Sequence, residues 1–241
     1  MTATIAYKRK KRALPSENTN GMAGKVPGSE KTACWMCCAG DGGNKVNLSY
    51  RNIQIRNAEV TDAYLLCKWW NDGKVMAHAG FPLGLGINET EIISKIQAET
   101  DHTTRRHIIL IDNVPVGEMN YRQLDDKTCE MGIKICETTH QNKGYGTIIL
   151  SMFLHGLFHI RHYEKVLLDT NLNNKRAQHV YEKLGFTKVR VNVDAWKDQM
   201  GKLQSSIDYE MNKASFQCLY DFCREIKSRR KLTKENCGEI P

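Results

Sequence analysis

Hydrophobic and polar positions alternate, or recur every three to four residues, through the middle of this 241-residue chain, which indicates a succession of strands and helices. Ile53 and Ile55 alternate with polar neighbours and predict a strand. A helix is expected to begin at Thr61 or Asp62, either of which can cap it, and to run through Trp70. An Asn-Asp-Gly sequence then ends the helix.

A second helix is predicted after residues 80–86, a loop that holds three glycines. Asn88 and Glu91 are spaced like the two members of a capping box, and isoleucines at helical spacing follow them. Because short polar turns join the next three predicted strands, we expect an antiparallel meander. These strands are expected in residues 106–111, 114–124 and 128–136.

The second half of the pattern alternates helices with strands. A polar loop, residues 140–146, leads into an almost unbroken apolar segment that predicts a buried helix through Ile160. A strand in residues 164–170 and a helix in residues 173–185, which Gly185 ends, come next. A final hairpin is expected in residues 186–196 and 204–212.

These elements predict one α+β, or mixed α/β, domain in residues 49–212, with a basic extension at each end. Residues 1–48 show no hydrophobic period and predict a flexible basic arm, and residues 213–241 predict a basic helical extension. The net charge of +8 lies in these ends, because residues 51–211 are neutral in sum. A nucleic-acid partner is therefore not expected, except through the tails.

Neither membrane insertion nor secretion is expected. The most apolar run, residues 147–160, is only 14 residues long and contains His155 and His159, so it is too short and too polar to span a bilayer. No apolar run follows the basic residues near the N-terminus, which therefore does not resemble a secretory signal. These features predict a cytoplasmic protein.

The nine cysteines do not indicate a disulfide framework. Most stand singly in apolar or helical surroundings, as reduced buried thiols do. Cys34, Cys37 and Cys38 include a CxxC spacing that could hold zinc, but no second pair of Cys or His residues lies at ligand distance in the sequence. We expect no metal, with zinc at these three cysteines as the alternative.

The polar loop before the apolar helix has the composition of an anion site. It contains Gly144 and Gly146 and no acidic residue, and backbone N–H groups at a helix N-terminus favour anions. The P-loop motif GxxxxGK[ST] does not occur in the sequence, and Ile149 stands where a dinucleotide fingerprint needs its third glycine. ATP and NAD are therefore not indicated.

The spacing Gln141-x-x-Gly144-x-Gly146 resembles the (Gln/Arg)-x-x-Gly-x-(Gly/Ala) motif of the GNAT superfamily of acetyl-coenzyme A-dependent N-acetyltransferases. Residues 174–186 match N-x-x-A-x-x-x-Y-x-K-x-G-F, which is typical of the ribosomal-protein acetyltransferase (RimJ/RimL-like) branch. The resemblance covers roughly residues 53–211. It implies a GNAT fold, with a central, mostly antiparallel twisted sheet flanked by helices, and acetyl transfer to a primary amine.

The resemblance implies that backbone N–H groups of the loop bind the pyrophosphate of acetyl-coenzyme A without a metal ion. It also implies that the strand before the loop pairs with the pantetheine arm and polarises the thioester carbonyl. Asn171 and Asn174 match positions that hold the cofactor in family members, although capping of the next helix would explain them equally well. The expected acetyl-coenzyme A residues are Ile133, Lys134, Ile135, Gln141, Asn142, Lys143, Gly144, Tyr145, Gly146, Asn171 and Asn174.

Acetyl transfer needs a neutral amine for the attack and a proton for the departing thiolate. Tyr181 matches the family tyrosine that reaches the coenzyme sulfur, and its alternative role is a core aromatic. Glu118 and Glu130 are candidates for the base, with Glu118 preferred and a water relay as the alternative. Asp169 matches an acidic family position and is expected to be structural. Direct attack in a ternary complex is expected, without a covalent enzyme intermediate.

The acceptor is open between a protein N-terminus and a small-molecule amine such as a polyamine or an aminoglycoside. Family members build the acceptor pocket where Trp69, Trp70, His78, Phe81 and the loop of residues 80–86 fall. The shortage of dense acidic clusters argues against aminoglycosides. The resemblance is compatible with a homodimer. The competing interpretation is a non-enzymatic module that binds coenzyme A or a partner and is tethered by its basic arms.

Overall fold

The computed structural model describes residues 47–218 and Tyr220, which form an eight-stranded sheet with α-helices on both faces. The strands are β1 (Asn47–Tyr50), β2 (Ile53–Asn57), β3 (Thr104–Ile111), β4 (Val114–Gln123), β5 (Thr128–Ile135), β6 (Lys165–Asn171), β7 (Thr187–Lys197) and β8 (Leu203–Asn212). The helices are α1 (Ala63–Asn71), α2 (Gly73–Met76), α3 (Glu89–Ala98), α4 (Tyr145–His159) and α5 (Lys175–Lys183). Short 3-10 turns occupy Val60–Asp62, Ala77–Ala79, Thr138–His140 and Lys213–Ser215.

The strands follow the order β1-β2-β3-β4-β5-β6-β8-β7 across the sheet. β3, β4 and β5 form the antiparallel meander that the sequence predicts. Asp112 and Asn113, both at positive φ of 52° and 62°, make the tight turn between β3 and β4. Two consecutive residues with positive φ are typical of the hairpin turn whose twist matches that of the strands.

β5 and β6 are the one parallel pair among the strands described, and their pairing is short. Residues Thr128–Glu130 of β5 pair with residues Lys165–Leu167 of β6. β5 then continues to Ile135 and β6 to Asn171 without pairing with each other. The two strands therefore diverge and leave a wedge-shaped gap inside the sheet.

Consecutive residues of β3 show how the two faces of the sheet are used. Ile108 and Leu110 pack into a core with α1 and α3, whereas Ile109 and Ile111 pack into the larger core with α4. All four side chains are buried. Since burial of such a side chain stabilises the fold by about 1.5–3 kcal/mol, the alternation holds a helical layer on each face.

α4 is enclosed on most of its circumference, with 12 of its 15 residues buried. The sheet covers one side, and β1 and the segment after β8 cover another. A Cβ atom added to Gly156 would lie 3.1 Å from Cδ1 of Leu48, and the rings of Phe158 and Phe216 lie 5.3 Å apart. These contacts hold α4, and therefore the position of its N-terminus, against the sheet.

The predicted fold class is confirmed, and so is the N-terminal cap of α3. The Asn88 side chain accepts the backbone N–H of Glu91 at 2.9 Å. One boundary needs correction. β1 begins at Asn47 and Leu48 is buried, so the folded domain starts before residue 48, where the predicted arm was expected to end.

A second difference concerns the start of the helical extension that the sequence predicts in residues 213–241. A 3-10 turn, Lys213–Ser215, stands there, and Phe216 after it has an extended backbone. The ring of Phe216 packs on Phe158 of α4. After Phe216 the structure describes Gln217, Cys218 and Tyr220, and the other residues of the predicted extension lie outside the described part of the chain.

Cys34, Cys37 and Cys38, the alternative zinc ligands, lie outside the described residues. In the described part of the chain, no group of three or more His, Cys, Asp or Glu side chains could hold a metal ion. None of the helices within residues 47–218 is long and apolar enough to cross a membrane. The free thiols described are Cys67, Cys129, Cys136 and Cys218.

Candidate active site

The loop between β5 and α4 bends through two residues in the left-handed conformation. Asn142 has φ 60° and Gly144 has φ 80°. Such residues turn successive backbone N–H groups toward one side and make a nest for an anion. Gly144 is the N-cap of α4 and has no side chain to cap the helix. The first N–H groups of α4 are therefore available to a ligand.

A cavity of about 230 Å³ lies beside this loop. A Cβ atom added to Gly144 would meet no heavy atom of the described residues within 4 Å, so the backbone there borders a space that this part of the chain leaves open. Six of the predicted acetyl-coenzyme A residues line the cavity, and Lys143 is exposed in the same loop. The lining residues are Ile135, His140, Gln141, Asn142, Gly144, Tyr145, Gly146, Thr147, Arg176 and Val180.

Arg176, near the start of α5, is a lining residue that the sequence analysis missed. Its guanidinium donates to the side-chain oxygen of Asn142 at 2.9 Å and to that of Gln141 at 3.2 Å. Gln141 in turn donates its amide to the carbonyl oxygen of Ile135 at 2.8 Å. Arg176 therefore ties α5 to the loop and brings a positive charge to the cavity. Its separation of more than 30 residues from the loop hides this role in the sequence.

The main chain of β5 presents alternate groups to the wedge-shaped gap. A Cβ atom added to Gly117 of β4 would lie 2.2 Å from the carbonyl oxygen of Lys134, so this carbonyl points toward β4. Because successive backbone groups of a strand point in opposite directions, those of Ile133 and Ile135 point away from β4, toward the gap. The bond from Gln141 to the Ile135 carbonyl agrees with this direction. An extended ligand in the gap could pair with this edge.

A buried cluster of charged side chains lies between α1 and the face of the meander that α1 covers. Glu118 Oε1 accepts from the indole N–H of Trp70 at 2.7 Å and from Nζ of Lys134 at 2.8 Å. Glu118 Oε2 accepts from Arg106 at 2.9 Å. Arg106 also lies over the Trp70 ring, 4.4 Å from its centroid, and bonds Glu99 at 3.1 Å. The cluster therefore joins α1, β3, β4 and β5.

The contacts of Glu118, the predicted base, determine its pKa. Burial alone would raise the pKa of Glu118, but the charges of Lys134 and Arg106 outweigh it and lower the pKa to about 2. A carboxylate with so low a pKa is a weak base for a proton on an amine. Glu130 is paired with Arg122 and sits where the pairing of β5 with β6 ends. The geometry therefore favours a positioning role for Glu118.

Tyr181, the predicted acid, lies on α5 and is fully buried. Its ring makes edge contacts with Tyr209 and Phe186, at centroid distances of 5.6 Å and 5.8 Å. Within the described residues its hydroxyl has no hydrogen-bond partner. Burial raises the pKa of Tyr181 well above the usual value for a phenol. The side chain is thus a core aromatic that also keeps a proton available for a ligand.

Asn171 and Asn174 are both engaged by neighbouring groups. Asn174 Oδ1 accepts from the N–H of Ala177 at 3.3 Å, which makes it the cap of α5. Asn171 Oδ1 accepts from the N–H of Asn173 at 2.9 Å, and its amide donates to Gln204 of β8 at 2.8 Å. The capping alternative therefore describes Asn174, while Asn171 connects the end of β6 to β8.

The predicted acceptor residues lie on α1 and in the segment that follows it: Trp69 and Trp70 are on α1, and His78 is in the Ala77–Ala79 turn. The Trp69 indole donates to Glu137, just after β5, at 2.8 Å, so both tryptophans of α1 are fixed to the meander. The pKa of His78 is lowered by burial, with a contribution from the charge of Arg176. The Ala77–Ala79 turn, which carries His78, packs against β6. The side chain of Leu83, in the loop that follows, is 69% exposed.

The chain belongs to the GNAT acetyltransferase family, because the Acetyltransferase (GNAT) domain model matches residues 52–187. The predicted family and the predicted class of enzyme, an acyltransferase, are thereby confirmed. The GNAT-type sheet, the nest and the cavity described above agree with this membership.

Solved structures of acetyltransferases share the fold at low sequence identity. The spermidine N-acetyltransferase from Vibrio cholerae, in complex with CoA and spermine, is 20% identical with a TM-score of 0.61, over 68% of this chain and 97% of that chain. The ribosomal L7/L12 alpha-N-protein acetyltransferase RimL, in complex with coenzyme A, is 12% identical with a TM-score of 0.61, over 69% and 98% of the two chains. A GNAT-family acetyltransferase from Bacillus anthracis is 17% identical with a TM-score of 0.59, over 70% and 99%.

Proposed function

We propose that this acyltransferase moves the acetyl group of acetyl-coenzyme A to a primary amine by direct attack in a ternary complex. The observation that carries the proposal is the continuity of three features: the nest at the N-terminus of α4, the cavity beside it and the open edge of β5. A long ligand with an anionic end and an extended amide-containing arm fits such a series.

The loop would hold the pyrophosphate through the N–H groups of Gly144, Tyr145 and Gly146, with Lys143 at the rim. Arg176, which also lines the cavity, adds a second positive charge. The main chain of Ile133 and Ile135 would pair with the pantetheine arm. An N–H group of this edge would stabilise the negative charge that develops on the thioester carbonyl oxygen during attack.

Tyr181 is the proposed acid that protonates the leaving thiolate, since its hydroxyl is buried and has no hydrogen-bond partner among the residues that the structure describes. For the amine proton we propose a water relay, because Glu118 is held by two cations and Glu130 by one. Glu118 then acts by fixing β5 and α1 on either side of the reaction site.

The acceptor is proposed to be a small polyamine-like molecule or a protein N-terminus, as in the RimJ/RimL-like branch. Two structural neighbours motivate these choices: one is a spermidine N-acetyltransferase and the other a ribosomal L7/L12 alpha-N-protein acetyltransferase. Both kinds of acceptor present a primary amine, and an activity assay with each of them distinguishes the two.

The first experiment is a thermal shift with acetyl-coenzyme A, with ATP and NAD as controls. A ligand at a hundred times its dissociation constant adds about 2.7 kcal/mol to the stability of the native state. We expect a rise in melting temperature with acetyl-coenzyme A alone. The same shift with ATP or NAD, or none with acetyl-coenzyme A, would contradict the assignment of the cavity.

Thiol release from acetyl-coenzyme A then identifies the acceptor, with spermidine and a peptide with a free N-terminus as the two probes. Release with one probe and not the other assigns the class of acceptor. Binding of acetyl-coenzyme A without release on any amine would favour the non-enzymatic module instead.

A further inference from the structure

The turn between β7 and β8 forms hydrogen bonds with a loop that lies more than a hundred residues earlier in the chain. Gln199 donates its backbone N–H to the carbonyl oxygen of Gly80 at 2.8 Å. Its side-chain oxygen accepts from the N–H of Leu83 at 2.9 Å, and its side-chain amide donates to the carbonyl oxygen of Gly84 at 3.0 Å. One glutamine thus satisfies three backbone groups of residues 80–86, here called the front loop.

Trp196 closes the same contact from β7. A Cβ atom added to Gly80 would lie 2.2 Å from Cζ3 of the Trp196 ring, so nothing larger than glycine fits beneath the indole. Gly80 also has φ 90°, a conformation that glycine adopts without strain. The front loop therefore begins with a glycine because the Trp196 ring of β7 leaves no room for a side chain at this position.

The other end of the front loop is fastened to α1. The Asn71 side chain accepts from the N–H of Ile87 at 3.0 Å and donates to the carbonyl oxygen of Ile87 at 2.8 Å. The carbonyl oxygen of Trp70 accepts from the N–H of Leu85 at 2.8 Å. Gly84, whose carbonyl Gln199 holds, has φ 79°, and Gly86 has φ 64°. Glycines at such positions let a backbone change conformation at low cost.

The front loop lies next to the proposed reaction site. The Ala77–Ala79 turn that precedes it packs against β6. The turn between β7 and β8 is connected to β6 as well, because Asn171 donates to Gln204 at 2.8 Å and Gln204 donates to Asp198 at 2.8 Å. The end of β6 is therefore linked by hydrogen bonds to Asp198, and the next residue, Gln199, binds the front loop.

We propose that Gln199 is a positioning residue that latches the front loop over the acceptor entrance and sets the shape of the acceptor site. The inference rests on the proposed function in that it takes the front loop as a wall of this entrance. Release of the two side-chain hydrogen bonds of Gln199 frees the middle of the loop, while Asn71 keeps its far end on α1. The amine enters when the latch opens and is enclosed when it closes.

The test compares Gln199→Met, which keeps the length of the side chain but not its polar groups, with Met200→Ala. Met200 is the matched control because it is the next residue of the same turn and its side chain is 64% exposed. Hydrogen exchange of residues 80–86 reports opening of the loop without any substrate. We expect exchange to be about tenfold faster in Gln199→Met and unchanged in Met200→Ala, since two hydrogen bonds are lost in the first variant alone.

Kinetics separate a latch from a general structural role. In Gln199→Met we expect the KM for the amine acceptor to rise several-fold while the KM for acetyl-coenzyme A stays the same. Unchanged exchange in residues 80–86, or equal changes in both KM values, would overturn the latch. Failure of the wild-type protein to release thiol with any amine would instead overturn the proposed function, and the exchange result would stand on its own.

A third variant, Gln199→Glu, tests the donor separately. The substituted carboxylate still accepts from the N–H of Leu83, but it faces the carbonyl oxygen of Gly84 without a proton to donate. Protonation restores the donor, so exchange of the front loop, corrected for its intrinsic pH dependence, should slow as pH falls below about 4.3, the ordinary pKa of a glutamic acid. Exchange that stays equally fast at low pH would show that the donor to Gly84 has no part in the latch.

Discussion

Two ionisable side chains at the proposed reaction site are locked in opposite protonation states. Glu118 keeps its negative charge because Lys134 and Arg106 compensate its burial, and Tyr181 keeps its proton because burial is uncompensated. The first is suited to hold neighbouring elements in place, and the second to give up a proton when an anion forms beside it. Both roles can be tested by substitutions that change a single polar group.

Replacement of Glu118 by Gln should destabilise the protein by about 3–5 kcal/mol at neutral pH, because it removes the buried negative charge that Lys134 and Arg106 share. The folded-state pKa of about 2 lies below the ordinary value of 4.5, so the stabilisation from Glu118 is present above that ordinary value and is lost as pH falls through the folded pKa. Urea unfolding of both proteins across this range should show the difference shrinking with acidity. A difference independent of pH would contradict the assigned ion cluster.

Tyr181→Phe should separate catalysis from stability. The hydroxyl has no partner in the described part of the chain, so its removal should leave the melting temperature nearly unchanged or slightly raised. Loss of a general acid should lower kcat by about 10²–10⁴-fold, measured by thiol release. A large drop in melting temperature, or an unchanged kcat, would argue that Tyr181 serves the core alone.

At the scale of elements, the loop and α4 form a unit in which each part has a separate task. The apolar residues of α4 fix its direction against the sheet, and the left-handed residues before it aim the backbone N–H groups at the cavity. The conformation of the loop should therefore matter for affinity even where no side chain takes part in binding.

Gly144→Ala tests this division. Gly144 has φ 80° and open space beside it, so an added methyl group meets no atom but strains the backbone by about 1–2 kcal/mol. We expect the Kd for acetyl-coenzyme A, measured by calorimetry, to rise roughly tenfold. Gly201→Ala is the matched control, because Gly201 also has φ 80° and open space but lies in the turn between β7 and β8. Equal losses of affinity in both variants would contradict a specific role for the loop.

The sequence predicted those elements whose pattern is local. The turn at Asp112 and Asn113, the cap at Asn88 and the apolar α4 each depend on residues that are close together in the chain. Arg176 and Gln199 escaped prediction because their partners are more than 30 and more than 100 residues away, and a lone polar residue gives no periodic pattern. The sequence also gave no sign of the ion cluster around Glu118, since Arg106 and Trp70 reach this carboxylate only through tertiary packing.

On the scale of the whole molecule, the domain boundaries follow from where buried contacts begin and end. We propose that residues 1–46 form the N-terminal arm and residues 213–241 the C-terminal extension. Leu48 and Tyr50 of β1 are buried, and Phe216 packs on α4. The two ends of the described chain thus meet over the same helix.

Truncation should distinguish the two ends. Removal of residues 1–46 is expected to leave the melting temperature and acetyl-coenzyme A binding unchanged, because the cut precedes β1. Removal of residues 213–241 should lower the melting temperature, since Phe216 then no longer covers Phe158 and Tyr220 no longer lies near Tyr50. Deletion through residue 52 is the control for the N-terminal cut and should destabilise the protein by removing β1. Loss of folding on removal of residues 1–46 would place part of the arm in the domain.

The divergence of β5 and β6 also has a mechanical meaning. The sheet consists of two antiparallel units, β1 to β5 and β6, β8 and β7. Only three residue pairs between β5 and β6 join these units within the sheet that the structure describes. A pantetheine arm extended along β5 would fill the gap between these two units. Binding of acetyl-coenzyme A would therefore restrict their motion relative to each other. Each turnover would then begin with a rigid sheet and end, on release of coenzyme A, with a more flexible one.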